Sequence, residues 1–194
     1  MGDRRGANQG RLRIIGGLWR GRKLQFVESP GLRPTPDRVR ETLFNWLGAE
    51  IHGSRCLDLF SGSGALGLEA LSRGAGHCVF IDTAGTAITA IRQHLDKLDC
   101  NSADTSQCDS LRWLQDTPAP GQGFDIVFLD PPFQQNLLSR ACELLEARAW
   151  LATTAQIYLE SGAREETPVV PPSWELKREK QAGEVRYQLF VRRL

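Results

Sequence analysis

The chain has 194 residues, 41% of them hydrophobic and 24% charged, with a formal net charge of +1. This suits one substantial domain with a small appendage and excludes global disorder. No apolar run approaches the ~20 residues that span a bilayer, and MGDRRGANQGR has no apolar stretch behind its positive start. Five cysteines, Cys56, Cys78, Cys100, Cys108 and Cys142, form no CxxC pair and read as reduced thiols. A cytoplasmic protein without a membrane partner is expected. A monomer is expected too, because no long apolar edge is evident.

The charge is unevenly spread. Residues 1–40 hold ten Arg or Lys against three acids, or +7, so the remainder sums to −6. A basic arm on a slightly acidic body suits a polyanionic partner. Along that arm, LRIIGGLWRGRKLQFV (12–27) predicts two short strands. LRPTPDRVRETLFNWLG (32–48) predicts a loop feeding a helix, with Thr35 as N-cap and Pro36 at the first helical position. Val39, Leu43, Trp46 and Leu47 share one face of that helix, and Arg38, Thr42 and Asn45 the other.

From residue 54 strands and helices alternate. Strands are predicted over 55–60, 77–82, 103–108, 124–130 and 155–161, and helices at about 64–73, 84–97, 110–115 and 136–147. Apolar strands separated by helices indicate a parallel sheet covered on both faces. The end differs: WELKREKQ and EVRYQLFVRR flank Ala182–Gly183 with no helix between them, which predicts an antiparallel hairpin closing the sheet. The division expected is a basic arm and β-hairpin over 1–30, then an α/β domain over 31–194.

LDLFSGSGALGLEALSRG (57–74) is a strand, a glycine loop and a helix. Gly62, Gly64 and Gly67 spell GxGxxG, and Asp82 lies twenty residues after Gly62, the spacing of a dinucleotide site. An NAD-linked oxidoreductase is therefore one reading. Asp58 argues for another. A pyrophosphate at the following helix N-terminus gains nothing from a carboxylate four residues before Gly62. A ligand carrying an ammonium and a sulfonium does, and S-adenosylmethionine (SAM) has both. Its ribose diol suits Asp82, and CDSL (108–111) offers Asp109, with Ser110 beside it, to the adenine. Gly62 and Gly64 then permit close backbone approach.

DIVFLDPPF (125–133) delivers Asp130 at the end of an apolar strand, followed by Pro131, Pro132 and Phe133. Methylating an exocyclic amine requires a delocalised lone pair to be aimed at the S–CH3 bond. The Asp130 side chain and the Pro131 carbonyl suit both N–H groups, the prolines hold the carbonyl direction, and Phe133 offers a stacking face to a flipped base. The three histidines have no partners at metal-ligand spacing, so no metal is expected.

DLFSGSGALGLEALSRGA (58–75), DPPF (130–133), RIIGGLWRGRKL (13–24), GLRPTPDRVRETLFNWL (31–47) and WELKREKQAGEVRYQLF (174–190) together resemble the RsmD family of bacterial 16S rRNA guanine-N2 methyltransferases. The two basic stretches are the most particular to it. The resemblance implies a class I SAM-dependent, Rossmann-like fold with seven strands. It also implies methylation of one guanine N2 in 16S rRNA of the assembled or nearly assembled small ribosomal subunit. By matching position, Asp58, Phe60, Gly62 and Gly64 would line the cofactor, Asp82, where a glutamate is expected, would bind the ribose, and Asp109 would meet the adenine. Arg11, Arg13, Arg20, Arg22 and Lys23 with Trp19 form a charge-plus-aromatic surface suited to RNA, joined by Arg33 and Arg38. Rival readings are an adenine-N6 or protein-glutamine methyltransferase and a non-catalytic ribosome-assembly factor.

Overall fold

The computed structural model of the chain describes residues 9–27, 35–132 and 137–193. Strands β1 (Gln9–Arg13) and β2 (Lys23–Val27) pair antiparallel, as expected over 12–27, with β1 starting at Gln9 rather than Leu12. Then follow α1 (Asp37–Leu47), a 3-10 turn, β3 (Arg55–Asp58), α2 (Ala65–Ser72), β4 (His77–Asp82), α3 (Gly85–Lys97) and β5 (Ala103–Gln107). The rest is α4 (Ser110–Asp116), β6 (Phe124–Leu129), α5 (Leu137–Ala147), β7 (Leu151–Gly162), β8 (Trp174–Ala182) and β9 (Val185–Arg192). No helix among the described residues is long and apolar enough to cross a membrane.

Seven strands form one sheet in the order β5-β4-β3-β6-β7-β9-β8. The first five are parallel, and β9 enters antiparallel between β7 and β8. The mostly parallel sheet with an antiparallel C-terminal hairpin is therefore what the chain forms. Insertion covers β9: Tyr187 through Val191 are all buried, so its alternation of apolar and polar residues does not divide core from water. Gln188 spends its amide on Glu179 (2.6 Å), and Arg192 forks onto Glu146.

Successive side chains of a strand face opposite sides, and this splits the core into two layers. Cys56, Phe80, Ile126, Phe128 and Tyr158 face α1, α2, α3 and the hairpin. Leu57, Ile81, Val127, Leu129 and Ile157 face α4 and α5. The same alternation sends Asp58, Asp130 and Glu160 to the α1–α2 side, two residues beyond Cys56, Phe128 and Tyr158 respectively. The chain leaves β3 for β4 and β5 on one side and returns to β6 and β7 on the other. The crevice at the carboxyl ends of β3 and β6 is thus the switch point where such sheets bind ligands.

Helix α1 buries Val39, Leu43 and Leu47 as its periodicity predicts, and Trp46 stacks on Tyr187 with centroids 5.3 Å apart. Two details differ. Thr35 is not the N-cap; extended Pro36 (φ −55°, ψ 146°) holds that place without a side-chain cap bond. Arg40, counted with the basic arm, is buried.

Arg40 belongs to the network that docks the hairpin. Its guanidinium donates to Asp37 (2.6 Å), to the Arg13 carbonyl (2.8 Å) and to Glu69 (3.4 Å). Buried Glu69 also accepts the amides of Ile15 and Gly16 at 2.8 Å each and Arg73 Nε at 2.7 Å. Gly17, at φ +76°, lies so close to α2 that a Cβ there would meet the Ser72 carbonyl oxygen at 1.8 Å. These ties join the RIIGG stretch, the DRVR stretch and α2. Leu12, Ile14, Leu24 and Phe26 complete the seat by entering the larger core.

Candidate active site

The loop after β3 turns on Gly62 (φ 50°) and Gly64 (φ 76°), both in the left-handed region that glycine adopts without strain. Gly67 has a different task. A Cβ there would lie 2.2 Å from the Phe80 ring, so the third glycine lets α2 pack onto β4. Packing therefore accounts for this glycine without any phosphate, which removes much of the force of the dinucleotide spacing.

Asp58 lies buried beneath that loop, with Oδ2 accepting the Gly67 amide at 3.0 Å. Burial pushes its carboxyl up to about 7; the Gly67 bond opposes this, and Asp130 and Asp82 add to it. Half-buried Asp82, at the end of β4, accepts the Gly62 amide on Oδ2 (2.7 Å) and the Ala84 amide on Oδ1 (2.8 Å). It therefore ties the glycine loop to the start of α3, and each carboxylate oxygen keeps acceptor capacity for a further donor.

Exposed Asp109 caps α4, accepting the Arg112 amide at 2.8 Å. Ser110, expected at the cofactor, is buried and donates its hydroxyl to the Leu59 carbonyl at 2.6 Å, fastening α4 to the end of β3. Its proton is committed to the fold. Phe60 is half-buried at the loop entrance.

Asp130 sits half-buried one residue past β6, and Pro131 behind it is buried. Its Oδ2 accepts the Thr35 hydroxyl at 3.0 Å, so the residue read as a helix cap is a clamp on the Asp130 carboxylate. Glu160, buried in β7, lies alongside, because β6 and β7 pair Leu129 with Leu159. Tyr158 Oη donates to Glu160 at 2.8 Å. Burial raises the pKa of Asp130, with the Thr35 bond opposing it. Burial raises that of Glu160 as well, and repulsion from Asp130 adds to it. Thr35, Tyr158 and Glu160 were missed from sequence. A usable signal existed for one of them: in IYLES, Glu160 closes an apolar run just as Asp130 closes its own.

Three desolvated carboxylates, Asp58, Asp130 and Glu160, thus converge on the switch-point crevice. Their raised affinity for protons marks a site of negative potential that a cationic ligand relieves. Among the described residues no group of three or more His, Cys, Asp or Glu is placed to hold a metal ion.

Of the residues expected at RNA, Arg11, Arg20, Arg22, Lys23 and Arg38 are exposed. Arg13 is exposed and paired to Asp37 at 3.3 Å. Trp19 is half-buried against the core, its amide donating to Ser72 Oγ at 3.0 Å, and the outward apolar side chain at this turn is Leu18, 84% exposed. Phe133 and Arg33 lie outside the described residues.

The family model described as Conserved hypothetical protein 95 matches residues 12–191. Ribosomal RNA small subunit methyltransferase D of Escherichia coli strain K12 is 47% identical over 186 residues, 96% of this chain and 92% of that protein. Its namesake in Haemophilus influenzae is 47% identical over 184 residues, 94% of each. Among solved structures, yhhF of Escherichia coli aligns with a TM-score of 0.88 at 44% identity, covering 95% of this chain and 99% of that one. SMU.776, solved in complex with SAH, shares the fold at 15% identity with a TM-score of 0.71, over 98% of this chain and 58% of its own. The architecture is that of class I SAM-dependent methyltransferases, and the chain belongs to the ribosomal RNA small subunit methyltransferase D family.

Proposed function

We propose that this chain transfers a methyl group from SAM to the exocyclic N2 of a guanine in 16S rRNA of the assembled or nearly assembled small ribosomal subunit. The observation that carries the reading is Asp130, clamped by Thr35 at the switch-point crevice with the Pro131 carbonyl next in the chain. Family membership supports rRNA of the small subunit as the substrate class.

Asp58 holds the ammonium of the cofactor, the glycine loop lies along its chain, Asp82 takes the ribose and Asp109 the adenine edge. When bound, SAM supplies a methyl group on a sulfonium, the electrophile this chemistry needs. Asp130 and the Pro131 carbonyl accept the two N–H groups of the guanine amine and turn its lone pair away from the ring. Each hydrogen bond to the charged acceptor contributes about 1.5–3 kcal/mol. As nitrogen gains the methyl group it loses a proton, and Asp130, its proton affinity raised by burial, is suited to receive it near neutrality. Arg11, Arg20, Arg22, Lys23 and Arg38 hold RNA phosphates.

A pH dependence follows from Asp58. Its carboxyl must be ionised to meet an ammonium, so with a pKa of about 7 SAM should bind about tenfold tighter at pH 8 than at pH 6. The stability of the free protein runs the other way. An acid whose pKa rises on folding costs stability as pH climbs from the unfolded value of 3.8 towards 7. Calorimetric titration of wild type and Asp58→Asn across this range checks both signs. A variant that keeps the full pH slope in affinity would remove Asp58 from the ammonium site.

The reaction is tested with methyl-labelled SAM and small subunits from cells lacking the enzyme, followed by digestion of the RNA to nucleosides. Label in N2-methylguanosine is expected. Label in N6-methyladenosine would overturn the choice of base, and no label would favour an assembly factor.

A further inference from the structure

Where the hairpin meets the C-terminal turns of α3, a cavity of ≈ 200 Å³ is lined by Arg11, Lys23, Leu24, Gln25, His94 and Lys97. Three of these six are cations, from β1, β2 and α3, and none is an acid. Arg11, Lys23 and Lys97 make no ion pair among the described residues. His94 is 3% exposed, and among the described residues neither ring nitrogen has a hydrogen-bond partner. The Gln25 backbone lies near enough to favour the charged ring, but not in hydrogen-bond geometry. Burial lowers the His94 pKa, Gln25 opposes this, and Lys97 adds to the lowering. An unsatisfied buried imidazole at a cavity walled by unpaired cations is costly unless an acceptor-rich anion enters.

We infer that this cavity is a phosphate site, and that it takes a backbone phosphate of the RNA that is methylated. The inference rests on the rRNA reading above and adds Gln25, His94 and Lys97 to the contact surface. His94 lies nine residues into α3 from Gly85, about 13 Å along the helix from the edge that holds Asp82. The grip therefore falls on RNA outside the target base. A contact there stabilises ground state and transition state equally, so it acts on KM and leaves kcat alone.

Two measurements test it. Inorganic phosphate titrated into the full-length protein should move the His94 ring resonances and raise the pH at which they titrate, and Lys97→Ala should reduce both effects. With small subunits as substrate, exposed Lys97→Ala should raise KM about five- to tenfold at unchanged kcat, and lower the slope of log affinity against log salt by about one. Resonances that ignore phosphate would overturn the site. Resonances that respond to phosphate while Lys97→Ala leaves KM and salt slope untouched would overturn RNA as the ligand. If wild type methylates no RNA at all, the proposed function fails, while the phosphate titration and the salt dependence of RNA binding still decide the site.

Discussion

Asp130→Ala is expected to slow single-turnover methyl transfer by about 10²–10³-fold while the protein folds and binds RNA as before. In the proposed reaction the carboxylate has two roles, accepting an N–H of the target amine and receiving the departing proton. The fold does not depend on it. Asp130 is half-buried, its single side-chain partner among the described residues is the Thr35 hydroxyl, and burial disfavours its charge beside Glu160. Removing it relieves like-charge repulsion, so the melting temperature should hold or rise. Asp130→Asn is the sterner chemical test, because its NH2 can turn a donor towards the amine and leave the shape intact. A normal rate in either variant would sink the mechanism. A falling melting temperature with a normal rate would recast Asp130 as structural.

Glu69→Ala is expected to destabilise the protein by about 3–5 kcal/mol, and for a chain of this size to lower its melting temperature by about 6–20 °C. Glu69 is wholly buried and is the shared acceptor for Arg40, Arg73 and the amides of Ile15 and Gly16. Without it the buried Arg40 guanidinium keeps Asp37 and the Arg13 carbonyl alone, and two backbone amides lose their acceptor. Loss of one partner from a buried ion pair costs far more than the pair itself is worth. Glu69→Gln keeps the shape and an acceptor oxygen and should lose less. Because this network seats the hairpin on α2, the alanine variant should also weaken RNA binding more than SAM binding. Thermal unfolding beside the two affinities checks this, and an unchanged melting temperature for Glu69→Ala would show that Leu12, Ile14, Leu24 and Phe26 dock the hairpin without it.

Much of this protein was determined locally by its sequence. Alternating apolar strands and amphipathic helices, the glycine loop, the carboxylates Asp58, Asp82 and Asp130 at strand ends, and the C-terminal hairpin all leave marks with a period of 2 or 3.6 residues, or at a fixed spacing, that neighbouring positions carry. What only the tertiary structure decided is long-range. Glu160 stands beside Asp130 because of the register of β6 on β7. Thr35 leaves its helix to clamp a carboxylate 95 residues away in sequence. Arg40, which reads as one more surface charge, is buried because Glu69 waits on another helix. Ser110 ties α4 to the end of β3 through the Leu59 carbonyl, and β9 is covered on both sides because it inserts between β7 and β8. A side chain's period shows which way it faces, whereas its partner is set by crossovers and register, which leave no local trace.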